Sequence, residues 1–144
     1  NIQRLVQSGV RNLLLISLPN IGCSPFARSV DLMRQLFKIS DTHNRLLKDM
    51  FLKMKHSHPN VHWIYFDVMP IWQQAMQRSK TFDLNHLQEA CLQFTPKKNK
   101  NTLSTRTVTT KCEGYMFFDQ LHPTTWVHAL LADSFLKEIQ LIFH

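Results

Sequence analysis

Apolar positions along the chain alternate between short runs and helical stripes. Ile2, Leu5 and Val6 have the spacing of one helical face, and Gly9 follows as a helix stop. Within Val10–Ser17, Leu13-Leu14-Leu15-Ile16 is a short continuous apolar run bounded by Gly9 and Pro19. That pattern predicts a strand buried on both faces, as in a parallel sheet. Pro19, Gly22 and Pro25 then punctuate a loop. From Ser29 to Met54 the periodicity is helical, carried by Val30, Met33, Leu36 and Phe37, then by Leu46, Leu47, Met50, Phe51 and Met54. Ser40-Asp41-Thr42 either breaks this helix or lies on its wet face.

Val61–Val68 is rich in aromatic and β-branched residues and predicts a second strand. A helix from Pro70 to Arg78 follows, with proline suited to its first turn. Phe82–Leu92 reads as a weaker helix, and Tyr115-Met116-Phe117-Phe118 as a short strand. From Trp126 onward Val127, Leu130, Leu131, Phe135, Ile139 and Ile142 form an amphipathic stripe, with Lys137 and Glu138 facing outward. Alternating strands and helices predict an α/β domain with a parallel sheet. Two clear strands and a short third are few for a self-sufficient doubly wound sheet. The first residues already read as helix, so residues 1–144 are expected to be part of a larger fold.

Composition narrows the class. With 144 residues, 44% hydrophobic and 19% charged, the chain has the make-up of one globular domain and not of a disordered segment. No apolar stretch is long enough for a transmembrane helix, and the first residues lack the pattern of a signal peptide. The formal charge of +7 invites a nucleic-acid or anionic-surface reading. Its distribution weakens that reading. Five basic residues (Lys97, Lys98, Lys100, Arg106 and Lys111) and no acid fall within residues 92–111, leaving +2 for everything else. This segment is polar and aperiodic and reads as an exposed basic loop. Cys91 and Cys112 flank it, and Cys23 lies far away in sequence. In an exported protein Cys91 and Cys112 are the natural pair; in a reducing compartment all three are free thiols.

The sharpest chemical feature is Phe118-Asp119-Gln120-Leu121-His122-Pro123-Thr124. Directly after a strand, an aspartate three residues before a histidine can reach the near imidazole nitrogen. It fixes the tautomer and leaves the other nitrogen free as a general base toward a nucleophile. Pro123 stiffens the backbone beyond the histidine, and Thr124 or Thr125 is placed to cap the final helix. Other candidates have plainer readings. His56, His58 and His62 sit at a turn and a strand start, not on one helical face, so no metal site is expected. His128 belongs to the last helix. Asp67 is placed to cap the turn after its strand. Phe26, Phe37, Phe51, Met50 and Met54 are expected in the core, with some possible in an apolar cleft. Phe117 and Phe118 are expected to pack beneath the Asp119–His122 loop.

Phe117 to His128 resembles, almost position for position, the last sequence block of the SGNH, or GDSL-type, lipases and esterases, Asp-x-x-His-Pro-Thr preceded by aromatic residues. Leu18-Pro19-Asn20-Ile21-Gly22-Cys23-Ser24-Pro25 resembles that family's Leu-Pro-x-x-Gly-Cys-x-Pro loop. Ser8–Asn12, His43–Leu47 and Tyr65–Val68 match its neighbouring turn, helix and strand in the same order. The resemblance implies the C-terminal part of a three-layer α/β/α fold with a parallel sheet. It implies a serine ester hydrolase acting on lipid acyl esters, of phospholipase A or lysophospholipase type or with acyltransferase activity, and it requires no cofactor. Asp119 and His122 would be the orienting acid and the base.

The family's Gly-Asp-Ser nucleophile block and Gly-x-Asn-Asp oxyanion block do not occur in these residues, and Asn20 and Gly22 belong to a later block. The implied partner is therefore an N-terminal half of the same enzyme carrying the serine, and these 144 residues alone are expected to be inactive. Bacterial secreted members often carry a cysteine pair before the Asp-x-x-His block, the place of Cys91 and Cys112. This implies a disulfide, secretion and a bridged loop, 92–111, open to an activating protease. Cys23 would be a buried thiol or pair with the other half. The alternative from another class is a non-enzymatic module that uses the basic loop to bind anionic lipid or nucleic acid.

Overall fold

The computed structural model describes residues 2–77, 84–94, 106–107 and 112–143. Helix α1 (Ile2–Gln7) leads into strand β1 (Asn12–Ile16), and Gly9 between them takes a positive φ of 99°. A single 3-10 turn at Ile21–Cys23 precedes the short helix α2 (Pro25–Ser29). The long helix α3 (Met33–Ser57) then connects to β2 (His62–Phe66), which pairs with β1 in parallel, Asn12 opposite His62 through Ile16 opposite Phe66. Parallel strands need such a crossover, and α3 supplies it. Helix α4 (Met69–Gln77) and strand β3 (His86–Ala90) follow, then the short strands β4 (Gln93–Phe94) and β5 (Arg106–Thr107). Strand β6 (Tyr115–Phe117) and helix α5 (Thr125–Phe143) complete the order.

Two apolar clusters hold these elements. On one face of the β1–β2 pair, Phe51 of α3 meets Val61 and Trp63, with Leu13, Leu15, Tyr65 and residues of α1 packed around them. On the opposite face Phe66 stacks on Phe135 of α5 with ring centres 3.7 Å apart. Helices thus lie on both sides of a parallel pair, the α/β arrangement that the alternating pattern predicts. The second cluster joins Trp72 and Ala75 of α4, Leu84, Met116 and Phe117 of β6, and Val127 of α5. It anchors β6, which pairs in parallel with β3.

Several expectations are corrected. The apolar run of β1 is not buried on both faces: Leu14 and Ile16 are 38% and 46% exposed. The helix on that side reaches Phe66 of the neighbouring strand but leaves β1 bare. Residues 86–90, expected within a helix, form a strand, because pairing with β6 satisfies their backbone while Leu87 packs on the second cluster. The helix expected from Ser29 to Met54 is α3, which starts later, at Met33, while Ser29 ends the separate short helix α2. Ser24 caps α2 by accepting from the Ala27 N–H, Pro25 occupies its first turn, and the chain bends at Asp31, whose φ is +54°. Helix α3 continues unbroken through residues 40–42. There Ser40 is buried, not wet: its hydroxyl donates to the Leu36 carbonyl and accepts from the Ile21 N–H. Phe51 lies in the core and Met54 packs against it, whereas Phe26 and Phe37 are exposed.

The boundary of the basic loop also moves. Leu92 is buried, and β4 pairs antiparallel with β5, Gln93 opposite Thr107. Lys97, Lys98, Lys100 and Lys111 lie outside the described residues. The bridge between Cys91 and Cys112 is formed. It spans 21 residues, so its removal by reduction or by a C91A/C112A double change is expected to cost on the order of 3 kcal/mol, read as a lower melting temperature. Gly22 is closely packed against α3. A Cβ there would stand 2.5 Å from the Met33 carbonyl oxygen and 2.8 Å from the Phe37 amide nitrogen, both backbone atoms of α3. Gly22→Ala is therefore expected to destabilise the chain by about 1–3 kcal/mol, measured by urea unfolding.

Candidate active site

The loop after β6 is built around one carboxylate. Asp119 Oδ1 accepts from the backbone N–H groups of Leu121 at 2.8 Å and His122 at 2.7 Å. The same side chain reaches the His122 ring, with Oδ2 at 2.8 Å and Oδ1 at 3.0 Å from Nδ1. Asp119 therefore shapes the turn and orients the imidazole at once. An ionised carboxylate only accepts, so the proton of a neutral His122 sits on Nδ1 and Nε2 carries the free lone pair. The His122 side chain is 72% exposed and that of Asp119 only 29%, so the ring is open to a reactant while the acid behind it is sheltered. Partial burial raises the Asp119 carboxyl, but the His122 and Leu121 N–H groups and the His122 ring outweigh it, leaving Asp119 below the ordinary carboxylate range.

Hydrogen bonds within the loop and from neighbouring elements hold it in place. The Phe118 N–H donates to the His122 carbonyl at 2.8 Å, closing the turn on itself. The Cys91 and Leu92 N–H groups donate to the carbonyls of Phe117 at 2.9 Å and Phe118 at 2.8 Å, so one end of the disulfide is bonded to the strand that carries the site. The Phe26 N–H of α2 donates to the Gln120 carbonyl at 2.9 Å. Thr124 spends its hydroxyl on the Tyr115 carbonyl at 2.9 Å, tying the start of α5 back to β6. Phe117 is buried beneath the loop as expected, but Phe118 is exposed.

Beside His122 lies a largely apolar cavity of about 400 Å³. Leu18, Pro19 and Ile21 from the loop after β1, Trp72 of α4, and Leu121 and Pro123 line it together with the imidazole. The loop is held open by buried Asn20, whose Oδ1 accepts from the Gly22 N–H at 2.8 Å, and by Asn44 of α3, which bonds the Leu18 N–H and carbonyl. The cavity thus sits at the carboxyl end of β1, where open α/β sheets gather ligands. Sequence reasoning placed neither Trp72 nor Asn44 here. Both sit on helices distant in sequence, and nothing in local spacing links them to His122.

The remaining candidates are accounted for. Asp67 Oδ1 accepts from the Met69 N–H at 3.0 Å and the Ser17 hydroxyl at 3.1 Å, capping the turn after β2 as its position suggested. His58 bonds the Met54 carbonyl, and His128 is exposed on α5. Among the described residues no group of three or more His, Cys, Asp or Glu is placed to hold a metal ion. Cys23 is unbridged and half-buried, and burial pushes its thiol up.

Residues 1–135, which include the whole loop and the cavity lining, match the model of the GDSL-like lipase/acylhydrolase family. The chain belongs to this family. Its relatives include a phosphatidylcholine-sterol acyltransferase from Aeromonas hydrophila, 26% identical over 90% of this chain and 48% of that protein. The secreted effector protein SseJ of Salmonella typhimurium is 25% identical over 94% of this chain and 33% of its own length. A GDSL esterase/lipase from Arabidopsis thaliana is 24% identical over 94% of this chain and 38% of its own. The chain spans half or less of the length of these GDSL relatives.

The lowered Asp119 carboxyl carries a pH signature. Its ionised form favours the folded chain, so this contribution is complete above the ordinary carboxylate value of about 4 and is lost as pH falls through the depressed folded value. Asp119→Asn keeps an acceptor for the two N–H groups but cannot ionise. It is expected to be less stable than the wild type near neutrality, with the gap closing in acid; urea midpoints across pH 2–7 (about the range in which carboxylates titrate) check this.

Proposed function

We propose that this chain provides the base and its orienting acid to a serine ester hydrolase acting on lipid acyl esters, of phospholipase A or lysophospholipase type. The observation that carries the reading is the Asp119–His122 contact at the mouth of an apolar cavity, in a chain of the GDSL-like lipase/acylhydrolase family. In this reading His122 Nε2 takes the proton of a serine hydroxyl as the oxygen attacks the ester carbonyl. The imidazolium that forms is stabilised by Asp119, then passes the proton to the leaving alcohol. Water completes hydrolysis; a second alcohol in its place gives acyl transfer, which the printed name of the Aeromonas relative describes for that protein. The cavity would receive the apolar part of the substrate.

The nucleophile is expected from an N-terminal half of the same enzyme, of whose single domain residues 1–144 form the C-terminal portion. Ser24, the serine lining the cavity, supports this. Its hydroxyl already donates to the Ile21 carbonyl and accepts from the Ala27 N–H, so it is committed to the helix cap. Secretion and activating cleavage within residues 92–111 belong to the same reading; the bridge would hold both pieces together after cleavage. No nucleic-acid partner is part of it.

His122→Ala in a polypeptide that carries both halves is expected to lower kcat/KM for ester hydrolysis by roughly a thousandfold or more while leaving the circular dichroism spectrum unchanged. The purified 144-residue chain is expected to show no turnover until the serine-bearing half is supplied. Robust His122-dependent hydrolysis by the chain alone, or undiminished activity of the alanine variant, overturns the reading.

A further inference from the structure

A second cavity, of about 270 Å³, opens beyond the carboxyl ends of β1 and β2. Asn20 belongs to its lining and also to that of the apolar cavity beside His122, so one side chain joins the two. Phe37, Asp41 and Asn44 enter from α3, at a spacing that puts them on one helical face. Asp67 enters from the turn after β2 and Gln73 from α4. The carboxyl ends of parallel strands are where open α/β sheets bind ligands.

The charge of this cavity is one-sided. Two carboxylates line it and no basic residue does. Asp67 spends Oδ1 on the Met69 N–H and the Ser17 hydroxyl, while its Oδ2 has no partner among the described residues. Asp41 has neither a hydrogen bond nor an ion pair among them; Arg45, the next basic residue along α3, pairs with Asp49 instead. A donor is unspent as well. Asn20 is only 4% exposed, and its Oδ1 accepts from the Gly22 N–H, yet its Nδ2 donates to no described residue. Buried amides are nearly always bonded, so an open one on a cavity wall marks the place of a ligand acceptor. Asn44 has no such capacity, because the Leu18 backbone takes both of its amide atoms.

These features define the ligand. Two unpaired acids require a cation. Hard metal ions take about six to eight oxygen ligands, whereas Phe37 and Met69 occupy part of this wall. Organic ammonium groups are instead held by an aromatic face, with carboxylates supplying the opposite charge. Asn20 adds the requirement of an oxygen acceptor on the same molecule.

We propose that this cavity is a subsite for a zwitterionic headgroup ending in a quaternary ammonium. The ammonium rests against Phe37 between Asp41 and Asp67, and Asn20 Nδ2 donates to a phosphate oxygen. That this headgroup belongs to the lipid ester turned over beside His122 rests on the esterase reading; binding of the headgroup does not.

Saturation-transfer NMR on the methyl protons of phosphocholine tests binding, using the longest polypeptide in which these residues occur. A dissociation constant of about a millimolar is expected for so small a ligand. Asp41→Asn and Phe37→Leu are each expected to weaken binding about three- to fivefold. Both positions are exposed, so unchanged melting temperatures are expected and show that folding is retained. Absence of binding at about 50 mM, far above a millimolar constant, overturns the proposal, as do variants that bind like the wild type. So does glycerol phosphate bound as tightly, which leaves the ammonium unrecognised, or guanidinium bound as tightly, which assigns the cavity to a basic peptide. None of these outcomes needs turnover, so they stand apart from the esterase reading. In a polypeptide that carries both halves, Asp41→Asn is expected to lower the ratio of kcat/KM for lysophosphatidylcholine to that for lysophosphatidylglycerol about fivefold. Hydrolysis of both with an unchanged ratio overturns the headgroup assignment, whereas absence of hydrolysis in the wild type overturns the esterase reading and leaves the binding result in place.

Discussion

The Asp119 carboxylate is the point on which the candidate site turns. One side chain accepts two backbone N–H groups and the imidazole Nδ1 of the same short loop. The first two contacts set where His122 stands, and the third sets which ring nitrogen is free. Hydrogen bonds to an ionised acceptor are stronger than neutral ones and leave little freedom to the groups they hold. A histidine so exposed would otherwise sample many rotamers. The acid removes that freedom without burying the ring.

That arrangement is only as rigid as its support, and the support comes from distant parts of the chain. Strand β6 is anchored by the cluster of Trp72, Met116, Phe117 and Val127. The Cys91–Cys112 bridge and the adjacent N–H of Cys91 hold it from one side, and the Phe26 N–H of α2 holds the loop from the other. The site is thus a short turn stretched between a packed core and a crosslinked strand end. Preorganisation of this kind is what acid–base groups need, since a small displacement of a proton acceptor costs more in rate than in stability.

The same anchoring ties helix α2 to the site. Helix α2 begins at Ser24 on the cavity wall. Its N-terminal N–H groups are divided between the Ser24 cap and the Gln120 carbonyl.

Short-range features carried much of this chain's design. Asp119 and His122 lie three residues apart after a strand, a spacing that the local turn alone can close, so their contact was legible in the sequence, and so was the pairing of Cys91 with Cys112 through the family pattern. The strand at Val61–Val68 was legible from its aromatic and β-branched residues and the last helix from its apolar stripe. Long-range packing decided the rest. Residues 86–90 became a strand because β6 offered a partner, and Ser40 was buried because the 3-10 turn presented an unpaired N–H. Phe26 and Phe37 share the helical spacing of Phe51 but were left at the surface, since spacing says which residues share a face and only tertiary contacts say what that face meets. Trp72 and Leu18 became walls of one cavity through the docking of α4 against the loop after β1, a juxtaposition that no local pattern encodes.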